Sequence, residues 1–343
     1  MMVVTNIRAV QVINKCRDNN IFCKSNAIDG CQIIRSHSIF TKNEDLYAPE
    51  SLVFDDLSYC YSLTHIGEPS IVSGLAYPIL LRSIPETGLV DGVGPWPYAS
   101  VPDPAQLHCA LAALRSLKLV TATLLVRPDA GADWAALGAA GVRIVPLKPH
   151  YVLDPALPKP ILRAKTRSNI AMARRHWVVE TLPRAQLAAV GCSLQEGLAA
   201  RGRLGSFANV PSQHFSILAN LDGIEAVVAA DSSGVGAVLV SARRGGETHC
   251  LHLITAPRAM RTCATHLLMA TALERWGQEG RVYLGGAPDG VDGRGIAQFK
   301  ARWANRTDPV VLLTAILDLP AYERLSTLKG ATTYFPAYRG PTP

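Results

Sequence analysis

The amino-acid sequence predicts an α+β fold in which helices pack against a mixed β-sheet. In the second half of the chain, the segments follow the order helices, three strands, helix, strand, helix, strand. Hydrophobic residues make up 48% of the chain and charged residues 18%, which is enough apolar material for packed cores and too little charge for a disordered protein. At about 150 residues per domain, a length of 343 residues predicts two domains.

In the first half of the chain, the sequence predicts four strands and two helices. Apolar and β-branched runs predict four strands: Ile71–Arg82, Gly88–Val93, Val120–Val126 and Val142–Leu147. Leucines spaced three and four residues apart predict a helix over Pro104–Leu117, and a shorter helix over Ala132–Ala140 stops at Gly141. Five prolines lie between Pro146 and Pro160, so we expect an extended link between the two halves there.

The second half is predicted to begin with two helices, Arg163–Arg175 and Pro183–Ala200. Three strands joined by short turns then predict an antiparallel meander: Ile224–Ala230, Val235–Ala242 and Thr248–Thr255. The remaining elements alternate between helix and strand: Arg258–Gln278, Val282–Leu284, Arg294–Ala304, Val310–Leu317 and a final helix over Ala321–Leu328.

A net charge of +7 and a pI of about 9.0 favour an anionic partner. Charge alone leaves RNA, a nucleotide, a phosphorylated carrier and a phospholipid surface open. Eight cysteines without a CxxC pair are typical of free thiols in a reducing compartment. The sequence contains neither an apolar run of about 18 residues nor a basic-then-apolar start. We therefore expect a soluble, cytoplasmic protein with no transmembrane segment.

Residues 1–45 differ in composition from the rest of the chain. Six asparagines lie in the first 43 residues and four in the following 300. This difference indicates a variable N-terminal segment or, alternatively, a start codon assigned too far upstream. On either interpretation we expect little function from residues 1–45.

Three motifs in order carry a family resemblance. They are the aromatic loop Pro95-Trp96-Pro97-Tyr98, a basic helix that contains Arg163, Arg167 and Asn169, and Tyr283-Leu284-Gly285-Gly286 followed thirteen residues later by Phe299-Lys300. From about Ser70 to Tyr338, these motifs and their spacing resemble the FemABX-like branch of the GNAT acyltransferase superfamily. The resemblance implies two tandem GNAT-like halves, a partial first half over residues 46–150 and a second over residues 151–343.

The resemblance also implies an activity. It predicts an acyltransferase that forms an amide by moving an aminoacyl or acyl group from an activated donor to an amine. Such a reaction needs no covalent nucleophile, and the sequence has no Gly-x-Ser-x-Gly elbow. A splayed pair of parallel strands, here Thr248–Thr255 and Val282–Leu284, would align the substrates. A cell-wall precursor, a sugar and a small metabolite all remain open as the acceptor.

Lys300 is the residue that the resemblance places against the charged end of the donor or the developing oxyanion. On pattern alone, it could equally be a solvated lysine on a helix. Its neighbour Phe299 is a candidate donor contact or a core residue. Gly285 and Gly286 either let a ligand approach the backbone closely or form a plain strand-ending turn.

The basic helix offers candidate phosphate ligands. Between Lys159 and His176 there are six cations and no acid, and Arg163 and Arg167 are four residues apart, on one face. The alternative is a solvated basic face. Asn169 could contact substrate or form only a local hydrogen bond.

Trp96 and Tyr98 could line a substrate cleft, because rigid loops with aromatic side chains often do. Alternatively, the two rings pin the loop onto the core. Asp91 and Asp289, expected in loops near the cleft, could each deprotonate an amine, although aspartate is also common in turns.

One departure from the family concerns the donor. An ordinary GNAT enzyme has a Gln/Arg-x-x-Gly-x-Gly/Ala loop for the pyrophosphate of CoA after the strand that corresponds to Thr248–Thr255. Here the junction reads Ala256-Pro257-Arg258-Ala259-Met260-Arg261, without a glycine. Loss of this loop is similar to aminoacyl-tRNA-using members and to acyl-carrier-protein users. We expect no permanently bound cofactor and a donor cosubstrate that is aminoacyl-tRNA, an acyl-carrier protein or acyl-CoA.

The sequence leaves two other functions and one possible metal site to be compared with this prediction. One is an ordinary acyl-CoA-dependent N-acetyltransferase. The other is a non-catalytic basic RNA-binding protein, which would use aromatic stacking although aromatic residues are only 6% of the chain. Cys250 and His252, expected on one side of a strand, and Cys263 and His266 on the next helix are ligand types for zinc. Because strand and helix would hold the two pairs apart, we expect no metal.

Overall fold

A mixed sheet of eleven strands is the centre of the computed structural model, which describes residues 52–127, 132–200, 210–288, 291–327 and 334–340. The strands are Glu68–Ser70 (β1), Ile79–Ser83 (β2), Val90–Val93 (β3), Leu119–Val126 (β4), Arg143–Leu153 (β5), Val178–Thr181 (β6), Ile224–Asp231 (β7), Gly234–Arg244 (β8), Glu247–Thr255 (β9), Arg281–Gly285 (β10) and Arg306–Ile316 (β11). Their order across the sheet is β1-β2-β3-β4-β11-β5-β10-β9-β8-β7-β6.

Helices lie between these strands. Those in the described residues are Leu57–Ser62 (α1), Leu107–Ser116 (α2), Trp134–Ala139 (α3), Ala164–Ala173 (α4), Leu187–Ala199 (α5), Ser212–Leu218 (α6), Pro257–Arg261 (α7), Ala264–Glu279 (α8), Val291–Ala301 (α9) and Leu319–Thr327 (α10). Among them, none combines the length and the apolar character that crossing a bilayer requires.

The sheet has a separate core on each face because side chains alternate along every strand. In β8, Val238 and Val240 point to one face, here called the first face, where residues of α1, α5 and α6 pack. Leu239 points to the opposite, second face, which α4 and α8 cover. All seven positions from Gly236 to Ala242 are buried, as expected for a strand with helices on both sides.

The mixed α+β sheet predicted from the order of elements is confirmed. Strands β7, β8 and β9 form the predicted antiparallel meander, and β9 pairs with β10 in parallel. Strand β11 pairs with β4 on one side and β5 on the other, so the last strand of the chain completes the sheet beside strands of the first half. The division into residues 46–150 and 151–343 stays a prediction.

The expected link at residues 146–160 is wrong over its first half. Residues up to Leu153 belong to β5, which lies between β10 and β11. Proline rarely occupies a central strand because it has no N–H to donate. Here Pro149 lies opposite Pro309, and the ladder is irregular between Pro309 and Val311, so the missing donors coincide at one place.

Other boundaries also differ from the sequence predictions. The single helix expected over Arg258–Gln278 is broken into α7 and α8 at Cys263, whose φ of 60° is left-handed. The strand expected over Ile71–Arg82 forms only in its second part, as β2, and residues 71–78 are the loop that joins β1 to β2. Elements α1, β6 and α6 were not predicted, since each is too short to show a clear period.

Candidate active site

Parallel strands β9 and β10 separate partway along their length. They pair over three positions, the last being Tyr283 opposite His249. Strand β10 then stays with β5 and ends at Gly285, whereas β9 continues to Thr255 beside β8. The two strands therefore leave an opening between their carboxyl ends, which is the splayed pair that the sequence predicts.

Lys300, in the last turn of α9, lies at this opening. Its Nζ donates to the carbonyl oxygen of Gly286, 2.5 Å away and just past the end of β10. Burial lowers the pKa of Lys300 to about 8; nearby Cys250 opposes this shift and the positive charge of Lys148 adds to it. Cys250 is the first residue of β9 beyond the paired positions. A poorly solvated ammonium group thus lies between the two strand ends.

The Cys250 thiol beside Lys300 is held in its neutral form. Burial raises the pKa of Cys250 to about 12, although the charge of Lys300 opposes this shift. Because the thiolate is the nucleophilic form of cysteine, a thiol in this setting is a poor nucleophile.

Gly285 and Gly286 make room for side chains that line the opening. Gly285 has a φ of 74°, in the left-handed region that favours glycine. A Cβ on Gly286 would lie only 2.7 Å from Cδ2 and Nε2 of His150, and one on Gly285 would lie 3.4 Å from Nζ of Lys300. The glycine pair therefore permits His150 and Lys300 to approach the end of β10.

His150, on β5, connects the opening to the aromatic loop. Its Nδ1 forms a hydrogen bond with the hydroxyl of Tyr98, whose side chain is 1% exposed. Tyr98 therefore packs in the core, as the alternative interpretation of this loop describes. Burial, together with the charges of Lys300 and Lys148, lowers the pKa of His150 to about 3, so the imidazole is neutral at pH 7.

A pair of histidines, His214 and His252, lies on the first face near Trp96. Nδ1 of His214 must donate to the carbonyl oxygen of Ser62 at 3.0 Å, so its Nε2 accepts from Nε2–H of His252 at 2.8 Å. Burial lowers the pKa of His214 to about 4 and that of His252 to about 3. Trp96 is 37% exposed, and its ring lies 6.1 Å from the His252 ring. Trp96 is thus the accessible aromatic residue of the loop.

An ion pair joins the end of β4 to β9 and β10. Arg127 donates to Glu247 at 2.8 Å, and its guanidinium lies 4.4 Å from the centre of the Tyr283 ring. His249 stacks on Tyr283 at 4.6 Å. Burial alone would raise the pKa of Glu247, but the His249 hydrogen bond and the charge of Arg127 lower it to about 2. These contacts hold in place the last paired residues before the strands separate.

The basic helix places its cations on the surface. Arg163 is the residue before α4, and both Arg163 and Arg167 are exposed. The guanidinium of Arg167 donates to the carbonyl oxygen of Leu162. Helix α4 packs on α8 through Ile170 and Ala173. The structure therefore puts the two predicted phosphate ligands on an exposed surface, whereas Lys300 lies in the opening.

Asn169 and Phe299 meet at one histidine. Nδ2 of Asn169 lies 3.2 Å from Nε2 of His266, and the Phe299 ring packs edge-on against the same imidazole at 5.6 Å. Phe299 also contacts Trp303 in the core of the second face. Both predicted residues thus connect α4, α8 and α9 and support the helix that carries Lys300.

Asp91 is engaged in ion pairs, contrary to its expected place in a loop. It lies within β3, fully buried, and accepts hydrogen bonds from Arg82, Arg339 and Tyr338. Two guanidinium groups therefore hold the Asp91 carboxylate in place within the sheet. The other candidate base, Asp289, lies outside the described residues.

The cysteine and histidine residues weighed as zinc ligands point to different partners. The register of β8 and β9 is irregular between Cys250 and His252. As a result, Cys250 packs in the second face while His252 contacts His214 and Phe215 in the first. The expectation that Cys250 and His252 share one side is therefore wrong. Within the part of the chain that the structure describes, no three potential ligands are grouped to hold a metal ion.

The junction after β9 is a single helical turn, α7. The N–H groups of Ala259 and Met260 both donate to the carbonyl oxygen of Ala256, and that of Cys263 donates to Met260. These backbone donors are used within the turn. A pyrophosphate-binding loop needs such donors to point at the ligand instead.

Sequence reasoning missed most of the polar residues around the opening. His150, His249 and Tyr283 come from three strands, and Lys148 and His150 fall in the proline-rich stretch that was expected to be a link. The available signal was histidine inside apolar strands, at positions 249 and 252 of β9. Of these two histidines, only His252 was weighed from the sequence, and only as a zinc ligand.

Comparison with solved structures shows where this architecture occurs. FemX aligns with a TM-score of 0.59 and 13% identity over 84% of this chain and 98% of FemX. The C-terminal domain of a protein described as a lysylphosphatidylglycerol synthetase from Agrobacterium fabrum aligns with a TM-score of 0.53 and 14% identity, over 77% and 89% of the two chains. L-PGS from Bacillus licheniformis gives 0.50 and 16%, over 81% and 98%.

Comparisons of sequence gave a different result: no protein-family model and no curated protein sequence matches the chain. The structural matches span between 89% and 98% of each relative. The chain therefore has the fold of FemX and L-PGS, which confirms at the level of the fold its predicted likeness to the FemABX-like branch of the GNAT superfamily.

Proposed function

We propose that this protein is an acyltransferase that forms an amide. It moves an aminoacyl or acyl group from an activated donor, an aminoacyl-tRNA ester or an acyl thioester, to the amine of an acceptor. The observation that carries the proposal is the Lys300 ammonium, which is held between the separated ends of β9 and β10 by the carbonyl of Gly286.

Lys300 suits the charge that develops during aminolysis. When an amine attacks an ester or thioester carbon, the carbonyl oxygen becomes an oxyanion. One of the three N–H donors of Lys300 is used by Gly286, and the other two can bind that oxyanion. Because the site is poorly solvated, each such bond stabilises the transition state more than it would in water.

The pKa of about 8 gives Lys300 a second use. As the C–N bond forms and the C–O or C–S bond breaks, the leaving oxygen or sulfur takes a proton from Lys300, which then regains one from solvent. The amine gives up its own proton to solvent. His150, with a pKa of about 3, is a neutral hydrogen-bonding group beside the opening and does not act as a base.

Three observations favour an aminoacyl or carrier-bound donor over free acyl-CoA. After β9 there is no glycine-rich loop, and the N–H groups of Ala259, Met260 and Cys263 donate within α7. The exposed cations of α4 suit a large anionic donor such as tRNA or a carrier protein. In the product for which lysylphosphatidylglycerol synthetase is named, a lysyl group is attached to phosphatidylglycerol, so fold relatives handle an aminoacyl group. The proposed donors are cytoplasmic, and we place the protein there.

The test offers three labelled donors in parallel: aminoacyl-tRNA, acyl-carrier protein and acyl-CoA, each with a mixture of primary amines. Mass spectrometry then measures the labelled amide. We expect transfer from one of the first two donors, loss of transfer in Lys300→Met, and wild-type transfer in Lys118→Met, which removes an exposed lysine before β4.

The other outcomes identify the alternatives. Transfer from acyl-CoA alone would make the protein an ordinary N-acetyltransferase. If no donor is consumed while RNA is bound, the chain is a basic RNA-binding protein and the proposal fails. Equal transfer by wild type and Lys300→Met would show that Lys300 has no part in the reaction and would contradict the proposal.

A further inference from the structure

An aliphatic side chain is presented almost fully to solvent before α4. Ile161 is 94% exposed and Leu157, four residues earlier, is 41% exposed. Isolated apolar residues are common on protein surfaces, but isoleucine is among the residues most often buried. The two side chains lie in the sequence Leu157-Pro158-Lys159-Pro160-Ile161, which combines apolar residues, prolines and a cation.

This segment is held rigidly by the rest of the fold. Nδ2 of Asn305 donates to the carbonyl oxygens of Asp154, Leu157 and Pro158 at 2.8, 3.4 and 3.1 Å. The N–H of Leu157 donates to the carbonyl of Asp154. Two prolines restrict the backbone further. The apolar tip is therefore ordered before it meets a partner, which lowers the entropy cost of binding.

The segment that follows the tip along the chain is cationic. Residues 155–179 contain six lysines and arginines and no acid. The six are all exposed: Lys159, Arg163, Lys165, Arg167, Arg174 and Arg175. The nearest carboxylate, Asp154, is buried and paired with Arg281 and Arg306. Among the described residues, the ion pairs of the protein use other cations, so these six face solvent.

The combination of exposed aliphatic residues and neighbouring cations suits one kind of anionic partner better than another. Single-stranded RNA is bound by aromatic side chains on which bases stack, and Trp177, which follows these cations, is 4% exposed. An anionic bilayer offers phosphates to the cations and an apolar region to the aliphatic tip. We propose that residues 157–175 dock the protein onto an anionic phospholipid surface, with Leu157 and Ile161 inserted among the headgroups.

The proposal uses the same exposed cations that suit a large anionic donor, so it is tested without the transfer reaction. The full-length protein is sedimented with vesicles of phosphatidylcholine, with or without phosphatidylglycerol, at physiological salt. We expect binding to the mixed vesicles only. Ile161→Ser should lower the partition coefficient about tenfold because an inserted aliphatic side chain is lost. The matched control is Leu319→Ser, which removes a 53% exposed leucine from the start of α10 and should leave binding unchanged.

The contributions of charge and of apolar insertion to vesicle binding can be told apart in two ways: by changing the salt concentration, and with a variant that should bind more tightly. Arg163→Gln with Arg167→Gln should weaken binding about tenfold at physiological salt and little at high salt, whereas the Ile161→Ser defect should persist at both. Ile161→Trp should strengthen binding because tryptophan favours the membrane interface. Equal binding by wild type, Ile161→Ser and Ile161→Trp would overturn the proposal. Complete failure to bind mixed vesicles, with tight binding of RNA, would overturn it in favour of RNA.

Discussion

Two cationic regions of this protein differ in how far water reaches them. Lys300 lies in the opening between β9 and β10, where burial lowers its pKa to about 8 and Gly286 fixes its position. The six cations around α4 are exposed to solvent. A desolvated, fixed cation can stabilise a transition state, whereas hydrated cations on long side chains attract and orient a large anionic partner. Burial, and not the number of charges, separates the two uses.

Replacing Lys300 tests the buried region and has the largest expected effect. Lys300→Met should lower kcat about 10²–10³-fold because the donor to the oxyanion is lost. Lys300→Arg should recover part of the rate, since a guanidinium keeps the charge but places its donors differently. Saturation curves with the donor that the three-donor assay identifies would measure kcat for both variants. Lys118→Met is the control, and a wild-type kcat in Lys300→Met contradicts the assignment.

The pH dependence of the rate should show the desolvation of Lys300 directly. If the ammonium form is required, kcat falls about tenfold per pH unit above pH 8, because the Lys300 pKa is about 8. In Lys300→Arg the side chain stays charged, so the decline should disappear from the range of pH 7 to pH 9. Single-turnover rates corrected for spontaneous ester hydrolysis provide the measurement.

Stability supplies an independent check of the same pKa. Burial lowers the pKa of Lys300 from 10.5 to about 8 in the folded protein. Between pH 8 and pH 10.5, Lys300 is therefore protonated in the unfolded chain and mostly deprotonated in the folded one. The free energy of unfolding of the wild type should therefore rise with pH in this window, by up to about 3 kcal/mol. Lys300→Met should lack this rise. A parallel pH dependence in both proteins would mean that Lys300 is well solvated.

Gly286 tests whether the packing at the strand end positions Lys300 and His150. Gly286→Ala should destabilise the protein by about 1–3 kcal/mol, because a Cβ would lie 2.7 Å from the His150 ring. The matched control is Gly138→Ala in α3, where a Cβ meets no atom within 4 Å. Thermal denaturation compares the two variants, and equal melting temperatures would show that His150 moves aside without cost.

The exposed region should give the smallest and most salt-sensitive effect. Arg163→Ala with Arg167→Ala should weaken binding of an anionic ligand more at low salt than at high salt, because mobile ions screen exposed charges. The melting temperature should hardly change, since neither side chain is buried. A titration at two ionic strengths makes the comparison, and an equal loss at both would indicate that the arginines act through packing.

Much of the fold could be predicted from local patterns in the sequence. The meander of β7, β8 and β9 follows from apolar runs separated by short turns, and the motif before Phe299-Lys300 located the strand and helix that form the opening. The errors occurred where a local rule was overridden by the surrounding sheet. The prolines at 146 and 149 indicated a link, yet the pairing of Pro149 with Pro309 allows β5 to lie at the centre of the sheet.

The candidate site was only partly predictable, for a different reason. Lys300, Gly285 and Gly286 could be found because they are close in sequence and carry the family pattern. His150 and Tyr98 are 52 residues apart, and nothing near either residue indicates the hydrogen bond between them. Trp96 and Tyr98 have the same sequence context, but one is exposed and the other buried.

The sequence by itself therefore determined most of the helices and strands, the class of fold and the presence of a basic segment before and within α4, because these depend on residue order over short distances. Only the tertiary structure decided which cation is buried, which histidines are neutral and which apolar side chain remains exposed. These properties depend on desolvation and on contacts between distant segments, which exist once the sheet has formed.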